Sequence, residues 1–336
     1  MKIQRLPVCA LFLFPLTSVA MDTSPFEVEQ VLTPAEAHQL LEKQKARPVQ
    51  PWVEPGSIDS AEDPELVKYG ISLLSDTVKT IGPKASNPAM RYSGNSLNCS
   101  SCHLKGASGL PGTVPYGLPF VNMINDYPNF RAREMTVGSA EDRVNGCMTR
   151  SQGDGRPMPK GSKEMRAIQA YFAFLGRGTK PGQAMEGTGL PVIDFPQRMA
   201  DPKGGEALYA QFCLSCHQAQ GLGLKSPTYA QDASYTFPPL AGPDSFNDGA
   251  GMSRLKKATR FTYANMPLGA TAKTPALTVE QAYDIAAYVE SLPRTNKPGR
   301  EKDFPVAEFR PADYPVPEYF DGDAAALEKA KYGPFD

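Results

Sequence analysis

Two stretches, Cys99-Ser-Ser-Cys102-His103 and Cys213-Leu-Ser-Cys216-His217, decide how this 336-residue chain folds. Each is a CxxCH pattern, in which two thiols bond to the vinyl groups of a haem and the following imidazole ligates its iron. The chain has only three His, and two of them stand in these motifs. A disulfide or redox dithiol followed by a chance His, twice over, is a poor account of that placement. The third, His38, reads as a surface residue of an early helix. Two covalently bound haem c groups are therefore the expected cofactors. The macrocycles also explain how a chain with 33 Pro and 29 Gly, much of it loop, builds a core.

Outward from the motifs the pattern is helical and repeats. Thr33-Pro34-Ala35-Glu36 combines a capping Thr, Pro at the first helical position and Glu three past the cap, which predicts a helix to about Lys45. A Pro-rich linker follows from Arg47 to Glu62, then a helix after Asp63-Pro64 with Leu66, Gly70, Leu73, Leu74 and Val78 on one side. Residues 82–160 read as loops and short helices around the first motif. Ser162 caps a helix with Met165, Ile168, Phe172 and Leu175 at helical spacing. After a linker, Gly205 to Tyr209 leads as a short helix into the second motif, and Thr278 caps a closing helix carrying Ala282, Ile285, Val289 and Leu292. Each motif is thus followed by an amphipathic helix of similar ending, Ala170-Tyr-Phe-Ala-Phe-Leu175 and Ala287-Tyr-Val-Glu-Ser-Leu292, as expected of a duplicated module.

These signals predict a mainly α protein with this order: a signal peptide at 1–20, an N-terminal helix and linker at 21–62, a first haem domain at 63–180, a linker at 181–201, a second haem domain at 202–295, and an ordered, extended Pro-rich strap at 296–336. The signal rests on Lys2 and Arg5, the apolar run Val8 to Leu16, and the small residues Ser18 and Ala20. It implies export to the periplasm. No later stretch is long enough for a membrane span. Lys plus Arg at 35 against Asp plus Glu at 36 carries none of the basic excess that nucleic-acid binding requires.

Six Cys, less one in the signal and four in the motifs, leave Cys147 alone. It stands 44 residues after His103, and Met158-Pro159 stands 55 residues after it. On spacing alone either sulfur can complete the first haem: a thiolate lowers the potential, and a thioether raises it. For the second haem, Met266-Pro267 lies 49 residues after His217 and before the closing helix, so Met266 is the expected ligand, with Met252 read as a core or loop residue. Arg131, Arg133, Arg143 and Arg150 cluster about Cys147. They read as a solvated face, as clamps for haem carboxylates, or as bidentate holders of a small dianion.

The segments Gly94-Asn-Ser-Leu-Asn-Cys-Ser-Ser-Cys-His-Leu104, Cys147-Met-Thr-Arg-Ser151, Phe237-Pro-Pro-Leu through Asn-Asp-Gly-Ala-Gly-Met252, and Ala264-Asn-Met-Pro267 resemble the dihaem thiosulfate dehydrogenases, relatives of the SoxA-type cytochromes. The resemblance covers roughly residues 60–295. It implies tandem cytochrome c domains, the first SoxA-like and holding the active haem. It further implies oxidation of two thiosulfates to tetrathionate, in some members reversibly, with electrons passed to a periplasmic carrier such as a soluble cytochrome c. By that resemblance the metal ligands are His103 and Cys147, then His217 and Met266, and the substrate-site residues are Arg133, Arg143, Cys147 and Ser151. Where some members carry a Lys before the Met, this chain has Asn265, which argues against a Lys/Met ligand exchange. The alternatives are a dihaem carrier with no chemistry of its own and a SoxA-like subunit acting on a partner-bound sulfur.

Overall fold

The structure, a computed structural model, describes residues 31–335. The expected signal peptide lies outside the described residues. Twelve helices follow one another: α1 (Pro34–Lys45), α2 (Pro64–Ser75), α3 (Thr77–Ile81), α4 (Met123–Asp126), α5 (Ala140–Met148), α6 (Lys163–Leu175), α7 (Pro202–Phe212), α8 (Leu214–His217), α9 (Tyr229–Asp232), α10 (Leu255–Asn265), α11 (Val279–Ser291) and α12 (Ala324–Tyr332). Strands form only short two-stranded ribbons, so the protein is mainly helical. None of its described helices is long and apolar enough to cross a membrane.

The caps legible in sequence are built as such. Thr33 and Glu36 form a reciprocal capping box on α1, and Thr278 and Gln281 form another on α11. Asp63 accepts from Leu66 N ahead of α2, and Ser162 accepts from Met165 N ahead of α6. In the first half α2 crosses α6, burying Val67, Leu73 and Leu74 against Met165, Ile168, Phe172 and Leu175. In the second half α7 crosses α11, burying Tyr209 against Ala282, Ile285 and Tyr288. Each crossing turns on a glycine. A side-chain carbon at Gly70 would run into the Ala167 carbonyl, and one at Gly205 into the Asp284 carbonyl, so backbones meet there with nothing between them.

α5 is one of the short helices expected among the loops of residues 82–160, whereas α9 and α10 lie in a stretch read as loop and α12 lies in the stretch read as an extended strap. α5 is polar and buries only Met148, so its apolar spacing is faint. The first turn of α10 is capped from afar: Asp313 accepts from Lys256 N at 2.9 Å and from Arg254 Nε at 2.9 Å. Beyond α11 the chain runs back over both halves, burying Phe304, Tyr314 and Val316, and α12 ends where Tyr332 O accepts from Tyr283 Oη (2.9 Å) and Ala200 N (2.8 Å).

Gly205→Ala should destabilise the protein by about 3 kcal/mol, since neither backbone at the α7–α11 crossing can retreat without repacking. Gly56→Ala, where the nearest atom to an added carbon is Ser60 Oγ at 3.9 Å, should stay within about 0.5 kcal/mol. Thermal unfolding followed by circular dichroism measures both.

Candidate haem and anion-binding site

The first CxxCH turn is anchored to α3. Cys99 N donates to Thr77 Oγ1 at 3.0 Å, and Val78 N donates to Asn98 Oδ1 at 3.0 Å. His103 N closes the turn on Cys99 O at 3.0 Å, which sets both thiols and the imidazole on one short loop. The ring is then fixed from behind: His103 Nδ1 donates to Leu118 O at 2.5 Å, and Phe120 stacks on it with centroids 4.1 Å apart. The second motif repeats the device, with His217 Nδ1 donating to Pro238 O at 2.9 Å. With Nδ1 engaged, Nε2 is the nitrogen each ring offers to a metal, and this is how iron-ligating imidazoles are oriented.

The thiols are free rather than joined. Desolvation pushes Cys99 up to about 11, Cys102 up to about 12 and Cys213 up to about 11. Desolvation also pushes His103 down to about 4 and lowers His217, so both imidazoles are neutral. Adjacent unjoined thiols beside back-bonded imidazoles fit a covalently held haem at both motifs.

Cys147 sits in the last turn of α5, one turn after Arg143, whose Nη1 lies 3.2 Å from its Sγ. The charge on Cys147 raises Arg143, and it also raises both Cys99 and Cys102. Cys147, Cys99 and Cys102 therefore lie near enough to influence one another electrostatically, and Arg143 acts on the His103 ring as well. α5 starts from a capping box between Ser139 and Asp142, so the helix that aims this thiol is set by local sequence. Met158 lies fully buried in the apolar cluster of the first half, its backbone N and O both bonded to the Asn145 side chain at 2.8 and 3.0 Å. Ser151 is held by its carbonyl, which accepts from Asn95 Nδ2 at 2.9 Å; its hydroxyl has no partner among the described residues.

The arginines divide by role. Arg131 is paired with Glu134 through Nε at 3.1 Å and Nη2 at 2.9 Å. Arg150 forms a bidentate pair with Asp303, at 2.8 and 2.7 Å. Arg133 reaches Asp303 only through Nε at 3.7 Å, donates from Nη1 to Gly249 O at 3.0 Å, and is flanked by the Phe304 and Tyr314 rings at 5.4 and 5.7 Å. Desolvation and the neighbouring Arg150 charge lower its pKa. Arg143, exposed beside Cys147, and Arg133 are thus the guanidiniums with capacity left for an anion.

Met266 closes α10, its N bonded to Thr262 O at 3.0 Å. Met252 packs with Leu97, Phe246 and Ala250. The side chains that sequence reasoning missed are Asp303, Phe304, Tyr314 and Lys257. No local pattern marks them, because each acts on residues more than a hundred positions away.

Paired free thiols, oriented imidazoles and a helical frame define a c-type cytochrome, and residues 203–293 match the cytochrome c family. The chain is 34% identical to thiosulfate dehydrogenase of Psychrobacter arcticus over 71% of its own length and 66% of that protein. It is 38% identical to that of Allochromatium vinosum over 60% and 72%, and 35% identical to that of Stutzerimonas stutzeri over 70% and 69%. The solved thiosulfate dehydrogenase (TsdBA) of Marichromatium purpuratum superposes with a TM-score of 0.63 at 32% identity, covering 74% of this chain and 50% of that one. The chain belongs to the thiosulfate dehydrogenase family, a family of oxidoreductases. It spans about two thirds of the length of these relatives and half of the solved chain.

Asp303→Asn should cost about 3 kcal/mol, because Arg150 and Arg133 would keep buried charges without their shared counter-ion. Glu134→Gln, which removes a partner from the 36%-exposed side of an ion pair, should cost less than about 1 kcal/mol. Chemical denaturation midpoints separate the two.

Proposed function

We propose that this chain oxidises two thiosulfates to tetrathionate, 2 S2O3(2−) → S4O6(2−) + 2 e−, and passes the electrons to a soluble periplasmic cytochrome after export. In this reading both halves are cytochrome c domains, the first SoxA-like. Cys99, Cys102, His103 and Cys147 hold one haem, and Cys213, Cys216, His217 and Met266 hold the other. When bound, the haems supply two one-electron acceptors, matching the two electrons that one new S–S bond releases.

The chain's own residues address the harder part, which is bringing two dianions together. At a separation of 5 Å and an effective dielectric of 20, two such charges repel by roughly 13 kcal/mol. Cations set in place beforehand offset most of this without reorganising during the reaction. Of the four arginines about Cys147, Arg143 pairs with no described carboxylate and Arg133 meets Asp303 only through Nε at 3.7 Å, whereas Arg131 and Arg150 are taken by Glu134 and Asp303. They hold sulfonate oxygens through N–H donors, with the Ser151 hydroxyl adding another donor. Arg143 donates toward Cys147 Sγ at 3.2 Å, and a thiolate ligand from Cys147 would favour the oxidised, low-potential state of a bound iron.

The single observation that carries this proposal is the 3.2 Å approach of Arg143 Nη1 to Cys147 Sγ, beside the first thiol pair. A plain electron carrier has no use for a thiol paired with a guanidinium at that place.

Cys147→Ala, with both haems confirmed by pyridine haemochrome assay, should lower thiosulfate oxidation more than a hundredfold. It should also remove the thiolate-type low-spin signal from the low-temperature EPR spectrum. Arg143→Ala should raise the thiosulfate KM at least tenfold with haem content unchanged. Wild-type rates and two Met-type EPR signals would instead describe a carrier.

A further inference from the structure

Lys257 belongs to the second half of the chain, yet its ammonium lies among the arginines of the first. It occupies the first turn of α10, and its Nζ stands 3.5 Å from the place a side-chain carbon on Gly251 would take. Two residues before Gly251, the carbonyl of Gly249 accepts from Arg133. The same loop thus presents a carbonyl to Arg133 and the lysine beside it. Desolvation together with the Arg254, Arg143 and Arg133 guanidiniums pushes the ammonium down to about 7.

The carboxylates nearby are already engaged. Asp313 Oδ1 accepts from Arg254 and its Oδ2 accepts from Lys256 N at 2.9 Å. Asp303 is taken by Arg150, and Glu134 by Arg131. No described residue forms a hydrogen bond or ion pair with the Lys257 side chain. Asp313 also acts on Lys257 but spends its oxygens on Arg254 and Lys256 N, so a half-buried ammonium among like charges is left short of an anion that one arriving from outside the chain would supply.

We propose that Lys257 anchors the sulfonate of the second thiosulfate, while Arg133 and Arg143 hold the first. This deepens the thiosulfate reading above and rests on it. A bimolecular joining of identical anions needs two separate anchors, and supplying one from each half of the chain makes the substrate site a shared one. The site then depends on the docking of the halves as well as on the fold of the first.

The test uses haem-loaded protein, fully reduced and anaerobic, which lacks an oxidant for turnover. Equilibrium dialysis against radiolabelled thiosulfate should show two anions bound per wild-type chain, one for Lys257→Gln and two again for Lys257→Arg. In steady-state oxidation Lys257→Gln should raise the thiosulfate KM about tenfold with both haems retained. Two anions bound by Lys257→Gln at wild-type affinity would overturn the assignment. So would unchanged thiosulfate binding accompanied by a shifted haem potential, which would give Lys257 to a haem carboxylate. Wild-type protein that neither binds nor oxidises thiosulfate would remove the thiosulfate reading itself, whereas wild-type turnover with an unaffected Lys257→Gln would remove Lys257 alone.

Discussion

Arg133 and Arg150 are 17% and 15% exposed, and both face one carboxylate, Asp303, which is 8% exposed. Removing three charges from water costs several kcal/mol each, and only their mutual attraction and hydrogen bonds return it. The arrangement therefore forms as a unit or not at all. Tyr314 Oη donates to Asp303 Oδ2 at 2.5 Å, Phe304 N donates to Arg133 O at 2.9 Å, and Gly249 O receives both guanidiniums. Three stretches distant in sequence are thereby joined: the arginine segment, the 249–257 loop and helix, and the segment beyond α11. The cationic site beside Cys147 takes its shape from that junction.

A second set of contacts ties the haem motifs to each other. The loop whose Leu118 carbonyl orients His103 also offers the Tyr116 carbonyl to Asn265 Nδ2 at 3.1 Å, and Asn265 directly precedes Met266. Elsewhere Asn95 Nδ2 bridges Ser151 O and Ser245 O, and Asn247 Nδ2 bonds Thr149 O and Gly153 O. Buried amides that tie one half to carbonyls of the other tolerate little displacement, because each bond lost would leave a buried polar group unpaired. The loop behind the first imidazole and the end of α10 at Met266 are consequently tied to each other.

Much of the fold was legible locally. Helices that carry their own caps, at Thr33, Asp63, Ser162 and Thr278, could be placed from a few residues each. α10 escaped because its cap, Asp313, comes from another part of the chain, and the bounds of α5 were not legible because only Met148 is fully buried, with Val144 partly buried beside it. α12 does carry a cap, Asp323, which accepts from Ala326 N, but the surrounding prolines masked it. In the site, the motif residues and the lone thiol stood out by their spacing. The choice between Cys147 and Met158 did not follow from spacing, since both lie at a workable distance along the chain; their surroundings differ only in three dimensions.

By itself the sequence determined the chemistry: two CxxCH motifs, Cys147 between them and a group of arginines, all set by covalent bonding capacity and charge. Tertiary structure alone decided which of those charges are spent. Arg150 is neutralised by Asp303 from the segment beyond α11, Arg133 is left at the edge of the same carboxylate, and Lys257 is brought in from the other half. The reason is physical. Ion pairing falls steeply with distance and depends on desolvation, and neither quantity exists until the chain has folded.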